Sequence, residues 1–206
     1  FDFNYTYAVA KDHGSSVERG AGFGNFSAGG YSGFLINSWE PDQQYSYADF
    51  DVRHQINVNG LYELPFGQGK KWGTNANGLV NALIGDWSVS GIYRWTSGFP
   101  FNVYNCRSCW ATNWNLQGNA VLVDPNPVPP QATTPNAVGG QPSPWENVSE
   151  ALTYFQRATP GQSGTRNLFR GDGYFGIDVS LGKACRMPFG HRMLFRWDVF
   201  NLTNSV

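Results

Sequence analysis

The stretch that decides how this chain is read runs Trp87-Ser88-Val89-Ser90-Gly91-Ile92-Tyr93-Arg94-Trp95-Thr96-Ser97-Gly98-Phe99-Pro100-Phe101-Asn102-Val103-Tyr104. Trp87, Val89, Tyr93, Trp95, Phe99, Phe101 and Val103 fall on one face, and Ser88, Ser90, Arg94, Thr96 and Asn102 on the other. Side chains that alternate with a period of two belong to a β-strand with two unlike environments. The run is far longer than the roughly 5 to 6 residues of an ordinary strand. It is long enough for the roughly 9 to 11 residues with which a β-strand crosses a bilayer.

Four more segments repeat the pattern on either side of it. Near 1–11, Phe1, Phe3, Tyr5, Tyr7 and Val9 oppose Asp2, Asn4 and Thr6. Near 51–65, Val52, Ile56, Val58, Tyr62 and Leu64 share a face with His54, and Arg53, Gln55, Asn57, Asn59 and Glu63 take the other. Near 173–184, Phe175, Ile177, Val179 and Leu181 oppose Asp178 and Ser180. Near 191–203, Met193, Phe195, Trp197 and Val199 oppose Arg192, Arg196 and Asp198, with Leu194 and Phe200 breaking the second face. The polar faces carry arginines and amides, as the wetted interior of a membrane barrel does. Phe1, Tyr62, Phe66, Trp87, Phe101 and Tyr104 lie near strand ends, where interfacial girdles belong. A soluble β-sandwich with one solvated face predicts the same alternation.

Composition narrows the choice. Of 206 residues only 14% are charged, against about 25% in an ordinary soluble domain. Aromatic residues make up 16%, and the net charge is −1, so nothing recommends a nucleic-acid partner. No apolar run is long enough for a transmembrane helix, and no signal peptide opens the segment. The connections alternate in length. Residues 12–50 and 105–172 are long, the second with 7 of the 12 prolines between Pro125 and Pro144. The link from Gly67 to Asp86 is shorter, with one or two helical turns expected at Asn77 to Ile84, and Arg186-Met187-Pro188-Phe189-Gly190 is a tight turn. Long connections at one end and short ones at the other are the habit of outer-membrane barrels. The expected fold is therefore all-β: an antiparallel transmembrane β-barrel piece of about five long strands, with 12–50 and 105–172 as outer loops.

A series of short stretches runs the length of the chain. It begins with Phe3-Asn4-Tyr5-Thr6-Tyr7 with Ala10-Lys11-Asp12, and Asp49-Phe50-Asp51-Val52-Arg53-His54-Gln55. Tyr62-Glu63-Leu64-Pro65-Phe66-Gly67, Gly85-Asp86-Trp87-Ser88-Val89-Ser90-Gly91 and Thr96-Ser97-Gly98-Phe99-Pro100-Phe101 follow in order. Arg166-Asn167 with Arg170-Gly171, and Phe195-Arg196-Trp197-Asp198-Val199-Phe200-Asn201-Leu202-Thr203-Asn204, complete the series. Together they resemble the barrel region of TonB-dependent outer-membrane receptors, in particular the Oar-like group, whose members usually begin with a carboxypeptidase-regulatory-like domain. The resemblance implies a Gram-negative bacterium, a barrel of about 22 strands with a plugged lumen, and a strand order in which the first segment runs outward. It implies that this chain is a fragment. Its partners would be outer-membrane lipid, the remaining barrel and plug, the TonB complex reached through an absent N-terminal region, and a small ligand.

The remaining constellations stay open. Cys106 and Cys109 have Cys-x-x-Cys spacing without two further zinc ligands, which leaves a loop disulfide or free thiols as readings. His13, His54 and His191 lie on separate segments without ligand spacing. Asp49, Asp51 and Arg53 cluster where the second strand begins, and an ion pair there would fix register at the outer rim. Arg94, Asp178, Arg196 and Asp198 would line the lumen as a structural ladder, or else a substrate path. Trp110, Trp114 and Trp145 either contact a ligand or pack their loop on itself. No nucleophile elbow, phosphate loop or metal set is found, so no cofactor and no enzymatic activity are expected. The function read from all this is barrel wall in an outer-membrane nutrient transporter. The alternatives are a secreted carbohydrate-binding β-sandwich and a plugless porin or adhesin.

Overall fold

A computed structural model describes residues 1–15, 37–103, 119–124, 131–138 and 141–204. The alternating segments form one antiparallel sheet of five strands in sequence order: β1 (Asp2–Tyr7), β2 (His54–Glu63), β3 (Trp87–Thr96), β4 (Tyr174–Arg186) and β5 (Arg192–Val199). The pairing register keeps like faces together across neighbouring strands. One row reads Phe3, Val58, Tyr93, Ile177; another reads Tyr5, Ile56, Trp95, Phe175; a third reads Tyr62, Val89, Leu181, Trp197. The intervening rows put Asn4, Asn57 and Arg94 together, and Ser90, Ser180 and Asp198. A slip of one residue anywhere would mix the faces, so the alternation itself fixes the register. The sheet is open: β1 and β5 each have one strand neighbour among the described residues.

Four of the strands are shorter than alternation alone suggests, while β4 runs on to Arg186. After Tyr7 the chain bends so that the Ala10 amide donates to Asp51 Oδ1 (2.6 Å), and Lys11–Asp12 then pairs with Ser46–Tyr47. The same capture of Asp51 delays β2 until His54. Beyond Thr96 the chain passes so close to Gly171 that a Cβ on Gly98 would lie 1.7 Å from its carbonyl oxygen, so only glycine fits there. β5 ends where Asn201 enters the left-handed region (φ +49°) and donates its amide to Asp178 Oδ1 (2.9 Å).

Among the described residues two short α-helices form, both N-capped by asparagine. In α1 (Gly78–Ile84) the Asn77 side chain accepts from the Val80 amide (2.9 Å), and in α2 (Val148–Thr153) Asn147 accepts from Ser149 and Glu150. The β4–β5 turn carries Phe189 and Gly190 at positive φ.

The chain divides into two compact units: Phe1–Tyr7, Arg53–Ser97 and Gly173–Val206 in the first, and Ala8–Val52 and Gly98–Asp172 in the second. Their interiors differ in kind. Every buried apolar residue described, namely Ala48, Ala120, Leu122, Ala151, Ala158 and Phe169, belongs to the second unit. The sheet buries none, yet its apolar face carries Phe3, Tyr5, Tyr7, Tyr62, Phe195, Trp197 and Val199 in the open. Each such side chain would gain about 1.5–3 kcal/mol from an apolar surrounding, and within the first unit no described element supplies one.

Candidate functional site

In the second unit the largest fully buried side chains are polar: Gln44, Asn167, Asp51 and Ser163. They belong to a clasp that ties the two long connections together. Three short ladders set it up, pairing Lys11–Asp12 with Ser46–Tyr47, Pro100–Phe101 with Phe169–Arg170, and Val121–Leu122 with Phe155–Gln156. A 3-10 turn at Pro41–Gln44 delivers Gln44, whose Nε2 donates to the His13 carbonyl (3.2 Å).

Arg166 is the centre. Its side chain is 0% exposed and its charge is shared between two carboxylates, Nη1 to Asp12 Oδ1 (2.7 Å) and Nη2 to Asp49 Oδ1 (3.1 Å). Nη1 also donates to the Asp12 carbonyl (2.9 Å), and Nη2 to Ser15 Oγ (2.8 Å). Asn167 follows in the left-handed region (φ +49°), which asparagine tolerates better than most residues. Its Nδ2 donates to the Tyr47 carbonyl and to Asp49 Oδ1, both at 2.6 Å, and its amide to Asn102 Oδ1 (2.6 Å). Arg170 pairs with Asp51, donates to the Asp51 and Gly98 carbonyls (3.0 and 3.2 Å), and lies 5.2 Å over the Tyr47 ring. Charge-assisted bonds offset much of the cost of burying these charges, while Arg166 Nε and Asn167 Oδ1 are buried without a hydrogen-bond partner among the described residues.

Asp49 and Asp51 form ion pairs with Arg166 and Arg170, more than a hundred residues away. Arg53 sits half-buried immediately before β2. Arg94, Asp178, Arg196 and Asp198 all fall on the polar rows of the sheet. Arg196 Nε donates to Asp198 Oδ1 (2.7 Å) and its Nη2 to Ser180 Oγ (3.1 Å), while Asp178 receives the Asn201 amide. Arg94 lies opposite Asn57 and Gly176, and among the described residues no ion pair joins it to Asp178.

Trp145 is one ring of a four-ring cluster with Phe101, Phe155 and Phe169, edge-on to Phe169 at 4.9 Å. That is loop packing. Trp110, Trp114, Cys106 and Cys109 lie outside the described residues. Trp39 escaped the sequence reading, although it is 83% exposed in the first long connection. Its only sequence signal is a large aromatic residue in a polar stretch. Arg166 and Arg170 stood in a quoted motif, but nothing local tied them to Asp49 and Asp51.

On the sheet, aromatic rings gather at both ends of the apolar face. Tyr5, Tyr7, His54, Trp95 and Phe175 stand at the end bearing the long connections, with Tyr5 Oη 2.8 Å from His54 Nδ1. Tyr62, Trp87, Phe195 and Trp197 stand at the other, where Trp87 and Trp197 stack at 6.1 Å. Val58, Gly60, Gly91, Ile177 and Val179 lie between them. Trp95 stands eight positions after Trp87, roughly 26 Å along the strand; at the roughly 35–45° tilt of barrel strands this spans roughly 19–22 Å across the membrane, the scale of the roughly 25 Å apolar band of outer-membrane barrels. An uncovered apolar band between two aromatic girdles, with a polar reverse face, is a barrel wall meant for lipid.

The chain belongs to the outer membrane beta barrel domain family, which it matches over residues 1–206. It is a protein of the bacterial outer membrane, and this stretch forms part of the barrel wall. The match decides against the soluble sandwich, which would have had to cover the apolar face. No curated protein and no solved structure matches the chain.

Proposed function

We propose that this barrel wall belongs to a TonB-dependent transporter of the Oar-like group, taking up a scarce nutrient from outside the cell. The observation that carries the reading is the clasp. Two motifs of the resemblance, Asp49-Phe50-Asp51 and Arg166-Asn167 with Arg170-Gly171, dock on each other and tie the bases of both long connections. By the habit of outer-membrane barrels these connections face outward. A receptor that grips its ligand needs such an ordered outer platform, because ordering loops at the moment of binding would cost affinity. In this reading the chain does no catalysis and carries no cofactor. A small ligand meets the loops, a plug fills the lumen, and the TonB complex acts through residues elsewhere in the protein. Trp39 is a ligand contact in this reading, and Trp110 and Trp114 are candidates from their residue type alone.

The test compares a deletion strain with a TonB-deficient parent on limiting iron chelates, oligosaccharides and peptides. A growth defect shared by both strains on one nutrient class is the expected result. A defect that appears in the deletion strain alone would make the protein a passive porin. Attachment defects without any growth defect would make it an adhesin.

A further inference from the structure

The β2–β3 connection, residues 64–86, lies at the end of the sheet away from the long loops, and it is built rather than slack. The Trp72 amide donates to the Pro65 carbonyl (3.0 Å), the Gly67 amide to the Trp72 carbonyl (2.8 Å), and the Gln68 amide to Asn81 Oδ1 (2.5 Å). Ile84 closes on Gly73, where a Cβ would meet its Cδ1 at 3.1 Å. Yet α1 keeps its two leucines outside. Leu79 is 83% and Leu83 is 74% exposed, one helical turn apart on one side. Phe66 and Trp72, with ring centroids 5.2 Å apart, are open as well.

The direction in which this apolar surface sits is set by Trp87. Its Nε1 donates to the Leu83 carbonyl (2.8 Å), while its ring stacks on Trp197 in the girdle of the outward face. The C-terminal turn of α1 is thereby fastened to the lipid side of the wall. The next turn along repeats the chemistry: Pro188-Phe189-Gly190 repeats Pro65-Phe66-Gly67, and Phe189 is 99% exposed. Cations surround these apolar groups. Lys71 Nζ lies 5.1 Å over Trp72 and Lys183 Nζ lies 5.3 Å over Trp87, with Arg186 and Arg192 beside them. The two acids of this end, Glu63 and Asp86, are engaged by Lys70 (2.8 Å) and Arg186 (3.9 Å). The Lys70 ammonium is held above its ordinary range by its hydrogen bond to Glu63 and then by the attraction between the two charges.

We propose that residues 64–86 are an interfacial anchor. α1 lies in the inner leaflet beside the barrel, with Leu79 and Leu83 among acyl chains and Lys70 and Lys71 at the phosphates of anionic phospholipid. Exposed leucines and aromatics rimmed by lysine are the composition of segments that lie in a membrane interface, and charge complementarity selects an anionic headgroup. The inference rests on the membership of the outer-membrane barrel family.

The test uses the intact barrel protein in phosphatidylcholine vesicles, with and without phosphatidylglycerol. Cys106, Cys109 and Cys185 are replaced by Ser, and a spin label is placed on Leu79→Cys or, in mid-wall, on Val179→Cys. Both labels should collide several-fold more with oxygen than with a water-soluble nickel chelate. Nickel preference at Leu79→Cys with oxygen preference at Val179→Cys would overturn the anchor and leave the barrel standing. Nickel preference at both would overturn the barrel reading itself. Phosphatidylglycerol should deepen the Leu79→Cys label, and K70Q/K71Q should abolish that deepening. A label indifferent to phosphatidylglycerol would remove the anionic headgroup from the proposal.

Discussion

Arg166 is where a single residue matters most. Removing one partner of a buried ion pair leaves the others charged and unpaired, at about 3–5 kcal/mol, and here two carboxylates and Ser15 lose their donor together. Arg166→Ala in the intact protein should therefore make the long connections sensitive to externally added protease on whole cells, while the sheet stays folded. Arg166→Lys should restore little, because one ammonium cannot reproduce the fork that reaches Asp12 and Asp49 at once. Gly98→Ala should give the same protease sensitivity by a different route, since its Cβ would occupy the Gly171 carbonyl. None of this clasp was legible as a set of pairs. Asp51 was singled out for its place near Arg53 in the sequence, which says nothing of its ion pair with the remote Arg170. Pairs that close over more than a hundred residues leave no periodic trace, whereas neighbours in sequence always look like candidates. Trp145 shows the complementary limit: its type suited either a ligand or a ring cluster, and only the positions of Phe101, Phe155 and Phe169 distinguish them.

At the scale of elements the situation reverses. Alternation is local, so the five strands and the helical turns near Asn77 were readable from sequence. Only their ends were not, because these are cut by long-range contacts such as Ala10 with Asp51. The two faces of the wall make a sharp prediction. Val179→Arg, on the apolar face at mid-strand, should cost about 2–4 kcal/mol of folding free energy in a bilayer, whereas Ser90→Arg on the reverse face should cost far less. Urea-dependent refolding of the intact protein into vesicles, followed by tryptophan fluorescence, measures both. Equal costs would mean that the faces have been assigned wrongly.

At the scale of the whole molecule, the two edges that the five-stranded sheet leaves open among the described residues dominate. Unpaired backbone amides and carbonyls are intolerable in hydrocarbon, and in water they recruit other strands. A polypeptide of these 206 residues expressed by itself should therefore aggregate, and should not give the heat-modifiable gel band of a closed barrel. The intact protein should give it. A soluble, monomeric product of good β-content would contradict the open-wall description.

The clasp has a consequence for how this surface can change over generations. Asp12 and Asp49 are drawn to one guanidinium near the two ends of the first long connection, and Phe101 and Phe169 pair near the two ends of the second. Substitutions at exposed described residues between those anchors, Trp39 among them, leave both closures standing. A lineage pressed by phage or antibody can change such positions while the closures hold, and an engineer seeking a place to display a foreign epitope inherits the same freedom.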